Sequence, residues 1–180
     1  MSLKPESTVR SSDEIQFTMQ HQEQDFWCWT ATASSVADYY DTTNAHPQCF
    51  LVEWAFQNPT CCESGETDEC NRTFAVDLAL IKVGHYSTSQ AGALGFRDIV
   101  AEVTRRRPVV VRILWPAGNK HAVAVTGYIE IPPPDGFHFP FQYLTVRDSV
   151  YGTSYVHYDW FCSDYQGLGG TWAYTFFTKG

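Results

Sequence analysis

Gln22 and Cys28 carry the most chemistry in the chain. The stretch Gln22-Glu23-Gln24-Asp25-Phe26-Trp27-Cys28-Trp29-Thr30-Ala31 sets a side-chain amide six residues ahead of a cysteine that opens a predicted helix. A thiol attacks as the thiolate, and the unsatisfied amides of a helix N-terminus favour that anion. An amide donor such as Gln22 can supply part of an oxyanion hole. The helix is read from Trp29, Ala33, Val36, Ala37 and Tyr40, which lie on one stripe of a 3.6-residue repeat. Asp25 is the expected N-cap, which would make Cys28 the third helical residue. Taken alone, a cysteine between two tryptophans reads more readily as a small buried side chain, and the rest of the chain changes that reading.

A thiolate needs a base. His121, in Gly118-Asn119-Lys120-His121-Ala122-Val123-Ala124-Val125, stands at the head of a run of β-branched and small residues that reads as a buried strand after a Gly-containing turn. Asp148 ends the next predicted strand, Tyr143-Leu144-Thr145-Val146-Arg147-Asp148. It could hold the imidazole in its productive tautomer and stabilise the imidazolium. Singly, His121 is an ordinary strand-end residue and Asp148 a turn former before Tyr151-Gly152. In the order Gln, Cys, His, Asp they read together as oxyanion donor, nucleophile, base and orienter, with Asp159 the next candidate orienter. His21, His46, His85, His138 and His157 stand in weaker contexts and are read as structural.

With Trp27-Cys28-Trp29, Pro47-Gln48-Cys49, Cys61-Cys62, Arg107-Pro108-Val109, His121-Ala122-Val123 through Gly127-Tyr128, and Thr171-Trp172 with Tyr174, this order resembles the papain superfamily of cysteine peptidases. It is most similar to bacterial papain-like peptidases, the group of the type III avirulence cysteine proteases, with a likeness to staphopains and C39-type peptidases. The resemblance spans roughly residues 15 to 178. It implies a helical N-terminal lobe packed on an antiparallel sheet lobe, with the cleft between them, and no cofactor. Two departures stand out. The orienter is Asp148 where the plant-type pattern has asparagine followed by Ser-Trp-Gly, and Ser149-Val150-Tyr151-Gly152 echoes that turn only faintly. The Pro-rich, aromatic segment 131 to 140 reads as a protruding hairpin tip.

The elements that must position these residues follow from the patterning. Residues 1–14 are polar and read as a mobile tail, with Met1-Ser2-Leu3 like an expression remnant, and 15–180 as one domain. Helices are predicted over about 27–41, 47–58, 73–83 and 95–106, then a short extended piece after Gly84. Strands are predicted over about 108–115, 121–131, 142–148, 153–160 and 171–178, an α+β plan. The composition, 44% hydrophobic and 16% aromatic, is that of a globular chain, and no stretch approaches the ~18 apolar residues of a membrane span. A net charge of −8 argues against nucleic acid as a partner. Arg105-Arg106-Arg107 is the one basic run, and it reads as a structural helix end.

Four of the six cysteines, Cys49, Cys61, Cys62 and Cys70, crowd into 22 residues. Neighbours in sequence rarely pair with each other, so the expectation is Cys49 with Cys61 and Cys62 with Cys70, or the crossed alternative. A zinc site is the rival, although the spacing lacks Cys-x2-Cys knuckles. Two disulfides imply an oxidising destination. With no signal peptide visible, export from a bacterium with the leader missing, or delivery as an effector, is expected. Cys162, beside Trp160 and Phe161, reads as a buried free thiol. The leading expectation is a monomeric cysteine peptidase acting on protein or peptide through Cys28, His121 and Asp148, with Gln22 at the oxyanion. A deamidase or transglutaminase-like acyl transferase could use the same residues. A catalytically silent binding or toxin module is the reading from another class.

Overall fold

Val109-Val110-Val111 and Ala122-Val123-Ala124-Val125 are apolar on both faces, as strands covered on both sides must be. They form the centre of a seven-stranded sheet. The computed structural model describes residues 11–43, 45–133 and 138–180. Its strands are β1 (Ser11–Glu14), β2 (Tyr86–Ala91), β3 (Val109–Leu114), β4 (Lys120–Ile131), β5 (Phe141–Asp148), β6 (Gly152–His157) and β7 (Thr171–Thr178). They run in the order β2-β7-β3-β4-β5-β6, all pairings antiparallel. β1 pairs with the distal part of β4, from Ser11 opposite Glu130 to Glu14 opposite Gly127, just beyond the part paired with β3. At Gly127 the three strands β1, β4 and β5 crowd together. A Cβ there would stand 2.7 Å from Thr145 Oγ1 and 2.9 Å from the Asp13 carbonyl, so the position requires glycine.

The helices are α1 (Cys28–Tyr40), α2 (Gln48–Phe56), α3 (Val76–Lys82), α4 (Phe96–Thr104) and α5 (Tyr158–Ser163). α1 is buried from Cys28 through Ala37. Thr32 Oγ1 donates to the Ala122 carbonyl at 3.2 Å, which pins the first turns of α1 against the head of β4. Thr30 Oγ1 donates to the Gln48 carbonyl at 3.0 Å and ties α1 to α2. Trp27, Trp29, Leu51 and Leu80 on the helical side share one apolar core with Val110, Val123, Leu144 and Phe176 of the sheet. The architecture is α+β, consistent with the papain-like plan: four of the five helices precede β3, five of the seven strands follow α4, and α1 packs between the helical side and the sheet.

Two differences from the sequence reading have physical causes. Residues 11–14 of the expected tail form β1, held to the body by ion pairs from Arg106 to Asp13 at 2.8 Å and from Arg147 to Glu14. The Ser-Ser-Asp-Glu stretch shows no apolar alternation because backbone bonds and charges hold it; residues 1–10 lie outside the described ones. The strand predicted over 153–160 stops at His157, where Tyr158, Phe161, Cys162 and Tyr165 begin a helical spacing. Phe161 is buried there against Tyr165 and Trp172, with ring centroids 5.1 and 5.2 Å away. β4 and β5 pair antiparallel as far as Ile131 opposite Phe141, and residues 134–137 of the segment read as a protruding hairpin tip lie outside the described residues. Arg105 and Arg107 face Glu102 at 3.1 and 4.0 Å, in keeping with a structural basic run. Among the described residues no helix is long and apolar enough to cross a membrane.

Candidate active site

Cys28 is the first residue of α1, and Trp27 rather than Asp25 occupies the N-cap position, without a side-chain cap. The cause is the turn before it. The Trp27 amide donates to the Gln24 carbonyl at 3.1 Å, while the Asp25 carbonyl accepts from Gln22 Nε2 at 2.8 Å. Cys28 therefore stands in the first turn, where backbone amides have no intrahelical acceptor. The flanking indoles fix it from both sides: Trp27 Nε1 donates to the Cys70 carbonyl and Trp29 Nε1 to the Arg72 carbonyl, each at 3.0 Å.

Those carbonyls belong to the cysteine-rich segment. Cys49 pairs with Cys62 and Cys61 with Cys70, the crossed one of the two expected pairings, in place of a zinc site. Gly65 lies against Trp27, where a Cβ would be 2.9 Å from the indole. The disulfides thus brace the segment that grips both tryptophans.

His121, the second residue of β4, is buried, and Nε2 donates to both oxygens of Asp148 at 2.9 Å. That leaves Nδ1 for Cys28, which lies within hydrogen-bond reach of the imidazole. The strand register makes this contact: Asp148 is paired with Val123, two residues along β4 from His121 and on the same face. The Asp148 carboxylate is fully buried, and its oxygens accept from the Val150 amide at 2.7 Å, the Tyr151 amide at 3.1 Å and the Tyr165 hydroxyl at 2.8 Å. Trp115 and Tyr151 flank the imidazole, with ring centroids 6.5 and 6.4 Å away.

Burial alone would lower the His121 pKa, but the hydrogen bonds and charges of Asp148 and Cys28 outweigh it and push the imidazole up to about 10. Burial would raise Asp148, and the His121 hydrogen bond and charge, with the Val150 and Tyr151 amides, bring it below its ordinary value instead. Burial and the neighbouring Asp148 charge raise Tyr165, so it stays a phenol and donates. The arrangement favours an imidazolium held by the Asp148 carboxylate.

The four residues expected at the site are not placed alike. Cys28, His121 and Asp148 come together. Gln22 is clamped to the residue after Asp148: its backbone N–H donates to the Ser149 carbonyl at 3.2 Å, and its Oε1 accepts from Ser149 Oγ at 2.9 Å. Both side-chain amide hydrogens are engaged, by the Gln24 carbonyl at 2.9 Å and the Asp25 carbonyl at 2.8 Å. Asp159 faces His157 at 3.8 Å and not His121. Sequence reasoning missed Tyr165, Ser149, Thr32 and Trp115. Ser149 was within reach, since it directly follows the orienter; the other three become visible only through the fold. A cavity of about 470 Å³ opens beside Cys28 and His121, bordered by Phe74, Val76, Asp77, Arg112 and Lys120.

Residues 9–140 match the sequence profile of the family described as papain-like cysteine protease AvrRpt2, a match that takes in Gln22, Cys28 and His121 and ends before Asp148. No curated protein matches the chain. Because the matched region is well over half of the 180 residues, the chain belongs to the papain-like cysteine protease AvrRpt2 family and is a cysteine peptidase.

Proposed function

We propose that Cys28 and His121 cleave peptide bonds as a thiolate–imidazolium pair, with Asp148 orienting the imidazole. The observation that carries this is the buried His121–Asp148 contact beside a cysteine at the N-terminus of α1. Cys28 Sγ adds to the carbonyl carbon of the scissile bond, and the carbonyl oxygen takes the negative charge. The Cys28 backbone amide is the first donor to that oxyanion. Gln22 is the second, and it reaches the oxygen by releasing the Gln24 or Asp25 carbonyl that its amide holds at rest. His121 then gives its Nδ1 proton to the leaving nitrogen, the C–N bond breaks, and a thioester to Cys28 remains. Neutral His121 next takes a proton from water, whose oxygen attacks the thioester and releases the new carboxyl terminus. Asp148 keeps the Nε2 proton in place throughout, so that Nδ1 faces the chemistry.

Two disulfides beside the nucleophile favour work in an oxidising compartment, and so export from the cell that makes the protein. The test of the nucleophile is an epoxide or iodoacetamide probe near neutral pH. Cys28 should be labelled well ahead of Cys162, whose thiol is pushed up by burial. Preferential labelling of Cys162 would sink the assignment.

A further inference from the structure

We infer that Arg112 makes the cavity beside Cys28 a receptor for an acidic side chain of the substrate, close to the bond that is cut. The inference rests on the peptidase reading of this site and adds a substrate class to it.

Arg112 lies in β3 opposite Ala122, one residue along from the His121 pairing, and its side chain is 21% exposed. Its guanidinium carbon stands 5.2 Å from the Tyr174 ring centroid and 5.0 Å from that of Phe176. These faces hold the cation in place but do not satisfy its five N–H donors in the ring plane. Among the described residues, the nearest carboxylate is Asp77 Oδ1 at 3.6 Å, beyond hydrogen-bond range, so the pair is a loose ionic contact. Asp77 sits in the first turn of α3, where the helix amides already favour its charge. Arg112 is thus a largely buried fork stacked on two rings, whose donors no side chain among the described residues takes up in a hydrogen bond, Asp77 meeting it only as a loose ionic contact. A carboxylate is the group whose geometry fits such a fork, through two parallel charge-assisted hydrogen bonds.

The rest of the cavity suits a side chain with an apolar stem and an anionic end. Trp29, Phe74 and Val76 give apolar walls, and Lys120 adds a second cation at the exposed rim. The net charge of −8 repels acidic peptides at a distance. A preference for them must therefore come from contact within the cavity and not from long-range steering.

The experiment digests a proteome-derived peptide library with the wild type, Arg112→Gln and Arg112→Lys. It then measures kcat/KM on matched peptides with Glu or Gln at the selected position. The wild type should enrich Asp and Glu at one position near the cut and favour Glu over Gln roughly 10- to 100-fold, the scale of a charge-assisted hydrogen-bond pair. Arg112→Gln should bring that ratio close to 1, mostly through KM, while Arg112→Lys keeps part of it. Cleavage by the wild type without acidic enrichment overturns the inference whatever the variants do. So does a ratio that Arg112→Gln leaves unchanged. A wild type that cuts no peptide and whose Cys28 reacts with no epoxide probe refutes the peptidase reading, and this inference falls with it.

Discussion

Replacing Asp148 separates its charge from its geometry. Asp148→Ala leaves the imidazole without its acceptor and strips the Val150 amide, the Tyr151 amide and the Tyr165 hydroxyl of theirs. Each orphaned buried donor costs about 1–3 kcal/mol, and breaking a buried ion pair about 3–5 kcal/mol. These terms overlap, so the expected loss is about 3–5 kcal/mol, or roughly 6–20 °C in Tm for a chain of this size. Asp148→Asn keeps one oxygen for the two backbone amides and for Nε2, while its NH2 can donate to the Tyr165 oxygen. Its loss should be about 1–2 kcal/mol. The pH dependence carries the electrostatic part. His121 is raised from 6.5 to about 10, so its stabilisation is complete below 6.5 and is lost as pH climbs through about 10. Asp148 is lowered from 3.8, so its share is present above 3.8 and is lost as pH falls through the folded value. The alkaline limb of kcat/KM reports loss of the imidazolium that protonates the leaving group. Both variants should pull that limb in by about 1–3 pH units, the scale of losing an adjacent opposite charge, with Asp148→Asn retaining more activity at neutral pH. The assay is kcat/KM against pH on a peptide the wild type cleaves, alongside thermal melts. An alkaline limb at the same pH in all three proteins would refute Asp148 as the partner of His121.

Peptide mapping without reduction should recover Cys49–Cys62 and Cys61–Cys70. The uncrossed pairing, or four free thiols with one zinc per chain, would contradict the structure. Reduction should loosen the segment that holds the Trp27 and Trp29 indoles, read as a rise in indole exposure by fluorescence. Gln22→Ala should lower kcat by roughly 10- to 1000-fold with little change in KM, because the donor is needed only once the oxygen is charged. An unchanged kcat would reduce Gln22 to a tether for Ser149.

What the sequence discloses divides along a physical line. The helix of Cys28 and the strand of His121 are legible because burial imprints a 3.6-residue stripe on one and a β-branched run on the other. The pairing of His121 with Asp148 is legible only as an order of residues, since the register of β4 on β5 is set by the fold. Asp25 drew the N-cap reading by residue type, while the turn beneath it is organised by the Gln22 side chain. Tyr165 left no signal, because a buried tyrosine in a short turn does not reveal which carboxylate it reaches. β1 was missed for a similar reason, being held by backbone pairing and by Arg106 and Arg147 across long sequence separations.

The central claim, thiol-mediated hydrolysis at Cys28 with His121 as proton donor, is tested most directly in water enriched in oxygen-18. Wild type, Cys28→Ala and His121→Ala are each incubated with a proteome-derived peptide library, with melts confirming folded protein. The wild type should generate new carboxyl termini carrying the label, and both variants should generate none. Cleavage by Cys28→Ala at the wild-type rate would contradict the account. So would wild-type products that show only glutamine-to-glutamate mass changes or amine adducts in uncut chains.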